Sequence, residues 1–431
     1  VEWASTLEFR HRLAGPVIAL GERVRALATP VMGLRWPRSR RNATVHVILF
    51  GIFGWITAAT VYFAGAGDRT IVGPLKGADF VHFYTLGHLA ASGRIAPIYD
   101  MKALHEAQVD LVPASESTLY PTVYPPQAAM IFAPFSGWSY RSALLLWSMV
   151  TLALYAVIVW STWRRVAVHR ADSTLVLAAA AAFPPFFSLI LYGQISIVIL
   201  AAFWLGWLAL ERGRPYLAGA AFGIVAIKPQ FGLPLAVIVL ACGEWRMLVG
   251  AVGSVTAQAA AVWLMLGSAV FTSFAASVPF TLRHADWLQS KPYMSHSIRT
   301  VTRLLPNWAG LPLWAALVAV VLWYTVKIWK GPAPLRLRLG VLILASVLVN
   351  PHLIVYDLVL LVLPLIWFAG YLLERGREAQ AAAFGRTVYW LFPALIVPTA
   401  PIIGIQVSVL LMTGLLVFMV RVASDSPVLA R

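Results

Sequence analysis

TVHVILFGIFGWITAATVYFA, residues 44–64, decides the fold class of this chain. The run holds no Lys, Arg, Asp or Glu and has the ~20 apolar residues a helix needs to cross a hydrocarbon layer of ~30 Å. The same texture recurs along the rest of the sequence. Further spans are expected near residues 143–163, 174–192, 194–210, 215–229, 231–242, 247–267, 311–329, 338–350, 352–373, 387–400 and 401–420, about 12 in all. Several are short, and the pairs meeting near Gly193, Gln230, Pro351 and Pro401 have almost no loop between them. Composition agrees: 60% of the 431 residues are hydrophobic and 12% charged, with mean hydropathy +0.78. A soluble domain is ~45–50% apolar and ~25% charged. The expected fold is all-α, a polytopic integral membrane protein.

A net charge of +16 invites a nucleic-acid reading, and topology removes it. With the N-terminus in the cytoplasm, most of the 33 Lys and Arg residues fall on cytoplasmic segments, as the positive-inside rule requires. The basic balance then reports orientation and contact with anionic lipid, and no nucleic-acid partner is expected. Residues 1–43 read as a basic cytoplasmic arm in which Leu13, Val17, Leu20, Val24 and Leu27 recur at helical spacing, suited to lying on the inner leaflet. Residues 421–431 read as a cytoplasmic tail behind a membrane domain over 44–420, and the first forty residues lack the pattern of a signal peptide. The single Cys242 forms no intrachain disulfide, and no CxxC or HExxH motif suggests a metal.

Two outer segments are long, 65–142 and 268–310, and this topology puts both on the extracytoplasmic side. Function is expected there. The first contains Gly77-Ala78-Asp79-Phe80-Val81-His82-Phe83-Tyr84, where Phe80, Phe83, Tyr84 and Gly87 share one face of an interfacial helix. Asp79 has two readings: an N-cap for that helix, or a general base presented to a substrate arriving from the lipid. Helix-start N–H groups would lower its pKa and weaken the base. Pro125 and Pro126, after Tyr124, suit a helix start. The run 127–133 is too short to span and is expected to dip into the interface or re-enter, while Asp100 reads as a turn residue.

Charges inside spans carry more information, because a mid-membrane Lys or Asp costs roughly 2.5 to 3.5 kcal/mol to insert. Lys228, before Pro229, and Asp357 are the two candidates. One reading is a buried ion pair pinning two helices. The other gives Lys228 and His352 to an incoming phosphate, with Asp357 setting helix position and Arg299 and Arg303 adding charge from the second outer segment. His352 and Tyr356 are four residues apart and share a helical face. Gln194 suits either a sugar hydroxyl or the turn that follows Tyr192-Gly193.

Together, Asp79-Phe-x-x-Phe83-Tyr84, Tyr99-Asp100, Tyr124-Pro125-Pro126, Tyr192-Gly193-Gln194, Ala218-Gly219 with Lys228-Pro229, and Pro351-His352 with Tyr356-Asp357 resemble glycosyltransferase family 87. The resemblance covers about residues 44–420, in order, and leaves the basic arm outside. It implies a GT-C fold and transfer of a sugar, mannose by family habit, from a polyprenyl-phosphate donor to a glycolipid or glycan acceptor. It also implies Asp79 as base and His352 and Lys228 toward the donor phosphate; the reading of the residues adds Arg299 on the phosphate side and puts Phe83, Tyr84, Tyr124, Gln194, Tyr356 and Asp357 around the substrates. No cofactor or metal is implied, because a monophosphate leaving group needs none on charge grounds. A bacterial inner membrane with the active site in the periplasm fits this best. A lipid or glycan transporter or flippase is the competing class, and it predicts internal repeats that the two halves do not display.

Overall fold

The computed structural model describes residues 40–166, 173–284 and 295–425. Nearly all of the basic arm, the end of the C-terminal tail and part of the second outer segment lie outside the described residues.

The chain begins with α1 (Arg40–Phe63). The first outer segment then folds into three short helices, α2 (Phe80–Ala91), α3 (Met101–Leu111) and α4 (Gln127–Phe132). Next come α5 (Tyr140–Val166), α6 (Ser173–Ala181), α7 (Pro184–Tyr192), α8 (Ser196–Glu211), α9 (Pro215–Gly223), α10 (Pro229–Ala241) and α11 (Trp245–Leu266). The second outer segment supplies α12 (Ala269–Arg283) and α13 (Ile298–Thr302). The chain closes with α14 (Asn307–Lys330), α15 (Leu335–Val349), α16 (Val362–Glu374), α17 (Glu378–Ile396), α18 (Ala400–Ile403) and α19 (Val407–Ser424). Among the described residues there is no strand, only isolated bridges pairing Arg69 with Leu75 and Ser295 with Ile354.

Among the described residues, seven helical stretches are long and apolar enough to cross a membrane: Arg41–Phe63, Tyr140–Val166, Ser173–Tyr192, Trp245–Leu266, Asn307–Lys330, Val355–Glu374 and Val407–Ser424. The expected spans at 194–210, 215–229 and 231–242 are helices too, Ser196–Glu211, Pro215–Ile227 and Pro229–Ala241, but shorter. The expected span at 338–350 falls on α15, which is buried from Leu339 to Val349. A helix surrounded by other helices need not match the hydrocarbon thickness by itself. Length and hydropathy therefore single out seven spans where the sequence suggested about twelve.

The outer helices turn apolar side chains outward, such as Ile48, Ile52 and Ile56 on α1 and Val249, Val252 and Val255 on α11. In lipid these are ordinary surface residues. Close approach inside the bundle relies on glycine: a Cβ at Gly219 of α9 would meet the Met247 carbonyl of α11 at 1.9 Å.

The first outer segment is a packed cap. Phe80 and Phe83 are fully buried, and α2 lies so close to α4 that a Cβ at Gly87 would meet the Phe132 carbonyl at 2.3 Å. The run 127–133, expected to dip into the interface or re-enter, forms α4, with Ala128, Ala129 and Phe132 buried and the helix packed on α2. Asp100 caps α3, its carboxylate accepting from the N–H groups of Lys102 and Ala103 at 3.0 and 2.9 Å.

Candidate functional site

Three helix breaks and two loop residues converge on one polar cluster. The first break is the turn between α7 and α8. Gly193 sits there at φ 64°, and a Cβ on it would come within 2.7 Å of the Phe80 Cβ. Glycine is thus needed twice, for the left-handed backbone and for the approach that brings Gln194 against the start of α2. The second break is Lys228, between the 3-10 turn Ile224–Ile227 and α10. Pro229 offers no N–H and disfavours the α conformation in the residue before it, so the chain turns at Lys228. The third is Asn350–Ile354, followed by a 3-10 turn, Val355–Leu361, that carries Tyr356 and Asp357. Interrupted helices are tolerated at membrane depth only where protein surrounds the freed backbone, and Gln194, Lys228, Asn350 and Asp357 are all buried.

Asp79 does not cap α2: its side chain accepts no hydrogen bond from the first turn. Its Oδ2 accepts instead from Gln194 Nε2 at 2.7 Å, and the Tyr356 hydroxyl also hydrogen-bonds to it. The Gln194 amide is fixed in orientation because its Oε1 accepts from the Tyr124 hydroxyl at 3.1 Å and from the Ile195 N–H at 3.2 Å. Burial pushes the Asp79 carboxyl above the ordinary carboxylate range; the bonds from Gln194 and Tyr356, and the Lys228 charge, oppose the shift without cancelling it.

Lys228 and Asp357 form the ion pair that one reading anticipated. Nζ lies 2.6 Å from Asp357 Oδ1 and 2.9 Å from Ser196 Oγ, and Ser196 donates to the same carboxylate oxygen. Both side chains are essentially shut off from the surface, at 1% and 2% exposure. The ammonium is boxed by the rings of Tyr356 and Tyr124, at 5.2 and 5.7 Å. Tyr192 packs on Tyr356, and His82 stacks on Tyr124 with centroids 5.4 Å apart. Burial, reinforced by the Lys228 charge, lowers the His82 pKa to about 3, so this ring is neutral packing at physiological pH. Tyr124 is pushed up to about 12, chiefly by burial, and stays a hydroxyl donor.

His352 stands at the edge of the cluster, partly exposed, with its N–H held by Asn350 Oδ1 at 2.9 Å. Burial lowers its pKa, and it feels the charges of Asp357, Lys228 and Arg303. Arg303 is brought near because the Ser295–Ile354 bridge and the His296 N–H to Leu353 carbonyl bond tie the second outer segment to this break. Arg299, expected at the phosphate, bonds instead to Thr302 and Asn307, both at 3.4 Å. Its neighbour one turn on carries the charge that reaches His352.

Among the residues expected around substrate, Tyr124, Gln194, Tyr356 and Asp357 meet here. Phe83 lies behind Tyr124, its ring centroid 4.9 Å away, and the Tyr84 hydroxyl donates to the Trp138 carbonyl at 2.7 Å. Both build the cap that carries Asp79. Ser196 was not anticipated, because a serine at the start of an apolar helix carries no mark of a buried carboxylate partner. Two surface clefts, about 360 and 470 Å³, lie elsewhere, and neither brings a carboxylate to a cation. The cluster sets one carboxylate held by neutral donors near an ion-paired lysine, with His352 and the Arg303 charge at its edge.

The family model described as Glycosyltransferase family 87 matches residues 122–351, more than half of the chain, and the chain belongs to that family. No curated protein and no solved structure matches it. Tyr124, Gln194, Lys228 and Arg303 fall inside the matched region, whereas Asp79 and Asp357 fall outside it and join the site through the contacts above.

Proposed function

We propose that this member of glycosyltransferase family 87 transfers a sugar from a polyprenyl-phosphate donor to a glycolipid or glycan acceptor, with Asp79 as general base. The observation that carries the reading is that Asp79 is hydrogen-bonded by neutral groups, Gln194 and Tyr356, while the neighbouring Asp357 is matched to Lys228. A carboxylate spared an ion-pair partner and raised in pKa by burial is suited to take the proton of an acceptor hydroxyl as the new bond forms. The departing phosphate gains negative charge, which Arg303 would offset and His352 would meet as a hydrogen-bond donor, with Lys228 behind them, in a water-poor setting. One base and one cationic side suffice for a single inverting displacement. The monophosphate leaving group requires no metal on charge grounds.

The same reading takes the chain as a GT-C-type enzyme, the short apolar helices completing about twelve crossings, in a bacterial inner membrane with its site on the extracytoplasmic side. Mannose is the proposed sugar, and lipid access to the site runs from the bilayer. The test is transfer of labelled sugar from polyprenyl-phosphate mannose in proteoliposomes holding the purified protein. Transfer by the wild type and none by Asp79→Asn supports the reading. Movement of intact lipid-linked sugar across the bilayer without bond cleavage would replace it with a flippase.

A further inference from the structure

Lys228 and Asp79 lie in the same cluster, linked through two neutral side chains. The Lys228 ammonium hydrogen-bonds to the Tyr124 hydroxyl, which donates to the Gln194 amide that in turn donates to Asp79. Opposite charges attract strongly in a low-dielectric interior, and a cation stays off one carboxylate where it has closer partners. Here it has two: Asp357 Oδ1 at 2.6 Å and Ser196 Oγ at 2.9 Å.

We propose that Asp357 and Ser196 are positioning residues that hold the Lys228 ammonium off Asp79, so that the base meets only neutral hydrogen-bond donors and keeps its affinity for the acceptor proton. The inference rests on Asp79 being the base, and it adds that the ion pair serves that carboxylate rather than only clamping helices. The geometry is specific. Ser196 donates to the same Asp357 oxygen that receives Lys228, which fixes the acceptor. The Tyr124 and Tyr356 rings wall the ammonium on two sides, and their hydroxyls reach toward Gln194 and Asp79. The Gln194 amide cannot flip without facing its N–H2 to the Ile195 N–H, so Asp79 keeps a neutral brace. The titratable groups facing Asp79 are Tyr356 and Asp357 from the turn before α16, Lys228 from the α9–α10 break, Tyr124 and Tyr120 from the first outer segment, and Tyr140 from α5. Of these, Lys228 is the cation.

Removing the Asp357 charge leaves the buried ammonium without its anion. It also removes a negative charge that acts on Asp79 directly, so Ser196→Ala, which keeps both charges, is the variant that isolates positioning. The experiment follows the protonated-carboxyl stretch of Asp79 by infrared difference spectroscopy across pH, the band being assigned by its loss in Asp79→Asn. Asp357→Asn is expected to make Asp79 about tenfold or more stronger as an acid, and the acid limb of sugar transfer should move with it. The charge-neutral pair Lys228→Gln with Asp357→Asn should return the midpoint to or above that of the wild type. Ser196→Ala, which keeps both charges and serves if Asp357→Asn fails to fold, should shift it in the same direction by less. An unchanged midpoint in Ser196→Ala, whatever Asp357→Asn shows, overturns the proposal and leaves the pair as a helix clamp. Because the spectrum needs no turnover, failure of the wild type to transfer sugar would refute the assigned reaction separately.

Discussion

Asp79 and Asp357 share one cluster and differ in what meets their charge. Asp357 is buried against Lys228 and Ser196, and its chemistry is spent on them. Asp79 keeps some exposed surface and is held by Gln194 and Tyr356, neither of which carries a charge. Neutral donors orient the Asp79 carboxylate, and burial raises its tendency to hold a proton. On the proposed reading Asp357 serves structure and Asp79 serves chemistry.

The sharpest way to break this contrast is Asp79→Asn. It removes the base while keeping the shape and is expected to lower turnover about 10²–10⁴-fold, with expression in the membrane unchanged. A comparable loss from Asp357→Asn without any change in pH behaviour would erase the distinction between the two. Next comes Lys228→Ala, which strands Asp357. Leaving one member of a buried pair uncompensated costs about 3–5 kcal/mol, so thermal unfolding in detergent should fall well below that of the wild type.

His352→Ala should act on donor rather than acceptor, raising the donor KM more than the acceptor KM in two-substrate kinetics. The pH profile sharpens the comparison further. Burial raises Asp79 above its unfolded value of about 3.9, so its base form builds up only at higher pH. The acid limb of kcat/KM should therefore lie above the ordinary carboxylate range. The sign for stability is opposite: the folded state binds the Asp79 proton more tightly than the unfolded one, so this group's contribution falls as pH rises from the unfolded value through the raised one. The smallest effect belongs to Tyr84→Phe, which removes one hydrogen bond to the Trp138 carbonyl, worth about 1 kcal/mol, and should leave the donor and acceptor KM unchanged.

Membrane character was legible because an uncharged apolar run of bilayer length, repeated along a chain, has nowhere to be buried but lipid. The number of crossings was not, because hydropathy cannot tell a lipid-facing helix from one sheathed by protein. Arg41–Phe63 and Val355–Glu374 both qualify as spans, yet the first shows much of its surface and the second is almost wholly buried. Lys228 and Asp357 stood out as charges in apolar runs, and their pairing was one of two readings that spacing alone could not separate. Asp79 read as an N-cap or as a base, roles that are compatible. The turn at Gly193 brings Gln194 alongside, so the Asp79 carboxylate is held across the fold and not by the first turn of α2. Arg299 and Arg303 looked equivalent in the second outer segment, and only the bridge between Ser295 and Ile354 showed which of the two charges reaches His352.

The order of apolar runs, the rare charges within them and the family pattern were set by the chain itself, since hydropathy and motif spacing are properties of neighbours along it. Which polar groups face one another was decided only on folding. Asp79 and Gln194 are 115 residues apart and Lys228 and Asp357 129 apart, and partners at such separations are chosen by how helices pack, which no local pattern encodes.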